Sequence, residues 1–203
     1  MSQGQYLLFV DSDMTLPPSV VCECLAMVHA TDAPGVVIPE VSIGIGFWAR
    51  CKALERSCYA GDAVIEAARF FPKSNFEAVG GFDEALVGPE DWDLSLRVGR
   101  AFKMPRVAAT IVHDEGNLSL VKTLAKKRYY ASSFLRYWRK HRTMALWQAN
   151  LIVRPAFLRN WRQLARHPWL TAGLFLMKTL ESIAAVSGIL LGPRSAPRRA
   201  KYG

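Results

Sequence analysis

The sequence predicts an α/β domain built on a mostly parallel sheet, followed by a basic helical region. Three observations predict it. Short apolar runs alternate with helix-like segments as far as His113. Two carboxylates, Asp11 and Asp13, close the first apolar run. From Leu118 onward basic and aromatic residues replace acidic ones. Alternation of this kind is the pattern of strands joined by crossover helices. In such sheets the active-site groups gather at the carboxyl ends of the strands.

Tyr6–Val10 is an apolar run of strand length, and Pro17-Pro18 then introduces a helix over Ser19–His29. Gly35–Ile38 is a second strand, and Trp48–Tyr59 a helix. Ala68–Phe71 is extended, and Lys73–Val79 is a helix stopped by Gly80-Gly81. Trp92–Ala101 carries Leu94, Leu96 and Val98 on a helix, and Val107–Val112 is a last strand ending at His113.

The chain has 26 Lys and Arg against 17 Asp and Glu, a formal net charge of +9, with 51% hydrophobic residues. That excess points to an anionic partner. Cys22, Cys24, Cys51 and Cys58 form no repeated C-x-x-C pair, so neither a zinc site nor a disulfide framework is indicated. Cys51 and Cys58, two helical turns apart, are expected to be buried thiols in a reducing, cytoplasm-facing setting. Ser2-Gln3-Gly4-Gln5 lacks the basic start of a secretory leader.

Asp11 and Asp13 fall on the same side of an extended chain, since strand side chains alternate with period two. Two carboxylates cannot face an apolar core without a counter-ion. A Mg²⁺ or Mn²⁺ ion bridging to diphosphate oxygens would supply one. The alternative is a solvated acidic turn before the next helix. A second acidic cluster follows in VGGFDEALVGPEDWDLSLRVGR, residues 79–100. Its glycine pair permits close backbone approach to a ligand, and Glu90-Asp91 opens an amphipathic helix where carboxylates are stabilised. Asp93 and Arg97, four apart, are expected to form a structural pair. Asp91 is expected to accept a proton in catalysis.

The order of these motifs resembles inverting family 2 glycosyltransferases of the GT-A fold. D-x-D follows an apolar strand, then come R-F-F, G-G-F-D-E, E-D-W-D-L-x-x-R and a strand ending in His. The resemblance covers roughly residues 5–140 and implies a partial GT-A, Rossmann-like mixed sheet with flanking helices over residues 1–117. It implies that Asp11 approaches the ribose or donor sugar and that Asp13, with Asp11, binds Mg²⁺ or Mn²⁺ at the donor diphosphate. His113 would join that metal or the diphosphate; a structural role for this lone histidine is the alternative. Gly80, Gly81, Phe82 and Asp83 would line the donor-sugar and acceptor pocket. Asp91 would be the general base, with Glu90 beside it in the catalytic pair. Lys126 and Arg128, with Lys127 between them, would meet donor phosphate or a lipid-phosphate acceptor, or else form a solvated face on anionic lipid. The expected partners are a nucleotide sugar and a glycan or lipid-linked acceptor.

Only ten residues precede Asp11, whereas in the family a nucleotide-binding half comes before that strand. The expectation is a chain lacking that half, with weak nucleotide-sugar affinity and an unpaired sheet edge. A membrane-bound, catalytically impaired binding module is therefore the alternative function, and a partner chain of unknown kind its corollary.

Residues 118–168 hold twelve Lys and Arg and no acid, interleaved with Tyr, Phe and Trp. Residues 169–192 are almost wholly apolar and long enough to cross a bilayer, and 193–203 form a basic tail. Lys178 and Glu181, three apart, can pair on one helix face. Each costs about 2.5–3.5 kcal/mol at a bilayer centre, so peripheral or re-entrant attachment to the cytoplasmic face is expected, with a single span as its rival. A nucleic-acid-binding module is disfavoured, because no recognised nucleic-acid motif is present and the acidic clusters would repel phosphates.

Overall fold

A computed structural model describes residues 3–99, 104–149 and 154–191. It is a mixed α/β structure with two small sheets and flanking helices. Strand β1 (Tyr6–Leu8) leads through the turn at Asp11 into β2 (Met14–Thr15). Helix α1 (Val20–Thr31) buries Val20, Cys24 and Val28 at four-residue spacing, and Asp32 closes it with φ 50°. Strands β3 (Val36–Val37) and β4 (Glu40–Ile45) precede α2 (Phe47–Cys58), then β5 (Ala68–Pro72) and α3 (Lys73–Ala78). Helix α4 (Glu90–Val98) puts Glu90, Asp91 and Asp93 in its first turn and Arg97 in its last, as its dipole favours. The last strand is β6 (Ile111–Asn117).

The sheet is not mostly parallel. In one sheet β5 lies between β1 and β3 and is antiparallel to both, with Leu7 opposite Phe71 and Val36 opposite Phe70. In the other, β6 is central, antiparallel to β2 and parallel to β4. Apolar runs reveal which segments are buried, but they carry no signal for strand direction. Two strands escaped the sequence reading for a related reason. In β4 the exposed positions Val41, Ile43 and Ile45 are the apolar ones, so its alternation does not mark a buried face.

The last strand is displaced from 107–112 to 111–117, which puts His113 inside it rather than at its end. The preceding stretch is extended but tied elsewhere. Ala108 and Ala109 donate their amides to the Glu23 carboxylate of α1. The expected helix over Trp92–Ala101 is described as far as Val98; Arg100 to Lys103 lie outside the described residues, as does the basic tail 193–203.

The basic region folds into α5 (Leu120–Ala131), α6 (Phe134–Lys140), α7 (Arg142–Ala149), α8 (Pro155–Arg159), α9 (Trp161–Arg166) and α10 (Pro168–Leu191). These helices share a core with the first part of the chain. Cys51, Leu54 and Cys58 of α2 pack with Phe157, Leu164, Leu174 and Met177, so both expected buried thiols are buried. Helix α10 lies along α2 and α5. Gly173 and Gly188 allow that approach, since a Cβ would collide with Phe47 at the first and with the Arg128 backbone at the second. Helix α10 is long and apolar enough to cross a membrane by length and composition.

Lys178 and Glu181 of α10 do pair, at 2.6 Å, but α2 completes the group. Lys178 Nζ lies 2.7 Å from Glu55, Lys52 lies 2.9 Å from Glu55, and the Tyr59 hydroxyl donates to Glu55 at 2.9 Å. Burial would raise the Glu55 carboxyl, yet Lys178 and Lys52 hold it well below its ordinary range.

Candidate functional site

The site forms where the β1–β2 turn, β4, β5, β6 and the start of α4 meet. Asp11 and Asp13 do not lie on an extended strand. They occupy a tight turn closed by the Met14 amide donating to the Asp11 carbonyl at 3.1 Å. Their carboxylates therefore diverge. Asp11 Oδ2 is 3.5 Å from Arg69, whereas Asp13 Oδ2 is 3.3 Å from His113 Nε2. The second contact follows from register, since Met14 pairs with His113 across β2 and β6.

Two residues join these pairs. Arg69 Nη2 lies 2.6 Å from Glu40 Oε1, and the same Glu40 faces Arg56 at 3.7 Å and His113 Nδ1 at 3.8 Å. Burial would raise the Glu40 carboxyl, but His113, Arg69 and Arg56 together hold it at about 2. The His113 imidazole is shifted up, chiefly by Glu40, with burial opposing. Arg69 was visible only as part of R-F-F, and Glu40 was missed. Its signal was the one that marked Asp11, a carboxylate directly after an apolar strand and a turn, here Val36-Val37-Ile38-Pro39.

Asp91 lies across the cleft from this cluster. The cleft is lined by Glu40, Arg56, Tyr59, Arg69, Asp91 and Trp92, among others, with a volume of about 170 Å³. Burial raises the Asp91 carboxyl to about 6; Arg69 opposes the shift, and Glu90, Asp11 and Glu40 add to it. A carboxyl at that value is half-ionised near neutral pH, as a general base requires. Glu90 sits beside it without lining the cleft, and its Oε2 is buried without a hydrogen-bond partner. Glu40 Oε2, Arg56 Nε and His113 Nδ1 are likewise buried and unpartnered. Polar atoms left this way are rare in native proteins and cluster where a ligand completes them.

The structure places the other expected residues away from this cleft. Gly80 and Gly81 have φ of 77° and 68°, and Arg97 clamps their turn by donating to the Val79 and Gly81 carbonyls. Phe82 packs on Phe9 and Phe76. Asp83 is held by Lys140 at 3.0 Å and Arg136 at 3.3 Å and caps the Ala85 amide. The Asp93–Arg97 pair forms as expected at 2.7 Å, and Lys140 and His141 join Asp93. On α5, Lys126 is exposed over the Tyr130 ring, and Arg128 keeps Nε and Nη2 buried and unpartnered. Neither reaches the cleft.

Mg²⁺ and Mn²⁺ at diphosphate sites take one or two protein groups and leave the other positions to phosphate and water. Asp13 and His113 meet that minimum. Among the described residues no group of three His, Cys, Asp or Glu converges on one point, so a closed protein cage is absent there. Asp11 turns toward Arg69 instead of joining the pair.

Replacing Glu40 by Gln should test how the cluster is wired. Arg69 loses its charged partner, at a cost of about 1.5–3 kcal/mol. With Glu40 neutral and Arg69 released, the Asp91 pKa should fall. Denaturant titration would read the first effect, and carboxyl NMR of Asp91 against pH the second. An unmoved Asp91 titration would mean the two groups are not coupled.

No family model matches this sequence, and neither does any curated protein.

Proposed function

We propose that the chain transfers a sugar from a nucleotide-sugar donor to an acceptor hydroxyl, with inversion at the anomeric carbon. The observation that carries this reading is Asp91, a cleft carboxylate raised to about 6, facing the Asp11–Arg69–Glu40–His113–Asp13 cluster. The motif resemblance to family 2 glycosyltransferases supports it. Asp91 accepts the acceptor's hydroxyl proton as that oxygen bonds to the anomeric carbon. The bond from this carbon to the diphosphate breaks, and its electron pair leaves with the nucleoside diphosphate. Attack from the face opposite the leaving group inverts the centre. Asp11 and Arg69 lie where the donor's sugar and phosphate would be oriented. Asp13 and His113 would hold Mg²⁺ or Mn²⁺, which when bound offsets charge on the departing diphosphate.

The reading places this reaction at an anionic membrane surface. The outward stripe of α10 carries Trp169, Leu176, Ile183, Val186 and Leu190, all exposed, and Trp161 and Leu158 extend it. Arg159, Arg162 and Arg166 flank it. An interfacial helix fits better than a span. The opposite face of α10 is sealed by α2 and α5, whose Arg50, Lys122 and Lys126 would each cost about 2.5–3.5 kcal/mol at a bilayer centre. Flotation with anionic vesicles, weakened by high salt, is the expected result; equal flotation with neutral vesicles would remove the electrostatic part.

The transfer is tested by incubating the full chain with a panel of nucleotide sugars, a range of acceptors, and Mn²⁺, Mg²⁺ or EDTA. Acceptor-dependent release of nucleoside diphosphate, abolished by EDTA and by Asp13→Ala, is expected. The absence of release with every donor would end the proposal.

A further inference from the structure

A second cavity, of about 260 Å³, lies between α4, α5, α6, α7 and α10. Its walls are mostly apolar, with Phe134, Ala131, Ala185, Val186 and Ile189 among them. Most of its polar neighbours are already engaged. Gln148 accepts from Tyr137 and donates to the Val64 carbonyl, Ser182 donates to the Lys178 carbonyl, and Trp92 donates to the Ile65 carbonyl. Lys127 is the single charged residue of the lining, and among the described residues no carboxylate lies within ion-pair distance of its ammonium.

Two features orient this cavity. Gly88 and Trp92 wall both it and the cleft of Asp91, so its inner end abuts the proposed base. Val186 belongs both to its lining and to the exposed apolar stripe of α10, so its outer end meets the surface proposed to face lipid. Gly88, with φ 104°, lets Tyr130 press against the turn before α4, where a Cβ would collide with that ring.

We propose that this cavity seats the hydrocarbon chain of a lipid-phosphate acceptor, with the Lys127 ammonium against the phosphate. The assignment names the acceptor class of the transferase described above and rests on that reading. A glycan chain would bring many hydroxyls into walls that hold almost no free hydrogen-bond partner, and each unmatched hydroxyl would be costly. A hydrocarbon chain loses nothing there, and apolar cavities of this kind take apolar guests. The lone cation supplies the complement to an anionic headgroup. Burial first, and Lys178 and Lys52 next, lower Lys127 to about 8 despite the nearby Glu181 and Glu55, so an anion beside it would be welcomed.

The test uses the full chain without donor or divalent cation, so binding is read apart from transfer. The probes are a dansyl-tailed lysophosphatidic acid below its aggregation concentration and a monoacylglycerol with the same tail. Ala185→Phe should weaken both probes by roughly tenfold or more, and Ile189→Phe, nearer the rim, should do the same should the first variant fold poorly. Lys127→Gln should weaken only the phosphate probe by a similar factor, leaving the monoacylglycerol within about twofold. Asp91→Asn should leave both affinities unchanged. Undiminished binding in the two filled-cavity variants would overturn the proposal, as would displacement of the lipid by inorganic phosphate alone. Sugar transfer to a water-soluble acceptor without lipid binding would reject the cavity assignment and keep the transferase. Lipid binding sensitive to these variants, with no transfer to any acceptor, would reject the transferase and keep the cavity as a lipid site.

Discussion

Replacing Asp91 by Asn is expected to lower kcat by roughly 10²–10⁴ while donor affinity stays unchanged, because only the proton acceptor is lost. The same substitution should make the protein more stable. Burial, with Glu90, Asp11 and Glu40 adding and Arg69 opposing, raises the carboxyl to about 6 in the folded state. The folded protein therefore prefers Asp91 protonated. That preference contributes fully below the unfolded value near 4 and is lost as pH rises through about 6. At pH 7 the wild-type chain carries the cost of an ionised Asp91, and Asn removes it, a gain on the order of 2 kcal/mol. Wild-type kcat should rise with pH through about 6 as the base ionises. Denaturant curves at pH 5 and pH 7 beside a pH–rate profile would check both halves. Turnover unchanged in the Asn variant would end the assignment of Asp91 as base, whatever the stability did.

Much of this site could be read along the chain because chemistry concentrates where apolar runs stop. Asp11, Asp13, Asp91 and His113 each stand next to a buried segment, and the fold does gather them. Glu40 and Arg69, which tie them together, were less visible for a physical reason. A single carboxylate after a short strand, or an arginine within one, has no periodicity to mark it, and its meaning appears only when its partner arrives from 29 residues away. Strand direction was illegible for the same cause. The sequence of β5 shows that both its faces are covered, and only tertiary packing decides that it runs antiparallel to β1 and β3. The glycine pair was read correctly as a tight turn. That turn is clamped by Arg97 and faces Phe76, and the residues after it spend their charge on α6.

Lys178→Met is expected to cost about 3–5 kcal/mol, a large part of the 5–15 kcal/mol that holds a typical domain folded. From the sequence, Lys178 and Glu181 are two interruptions in an apolar helix that can at best neutralise each other. In the fold they are fully buried against Glu55 and Lys52 of α2, which makes two cations and two carboxylates in one dry group. Removing Lys178 leaves Glu55 and Glu181 facing each other with Lys52 alone between them, and desolvation is no longer offset. The double variant Lys178→Met with Glu181→Leu should regain most of the loss, because Lys52, Glu55 and the Tyr59 hydroxyl remain a closed set. Urea unfolding of wild type, each single variant and the double variant forms the cycle. Simple additivity of the single effects would show that the four groups do not act together. Strong coupling would also bear on the cleft. Arg56 and Tyr59, which line it, sit on the helical turn after Glu55 and at the end of α2, so loosening α10 from α2 should disorder that wall. Donor affinity in Lys178→Met should therefore fall along with stability, and return in the double variant.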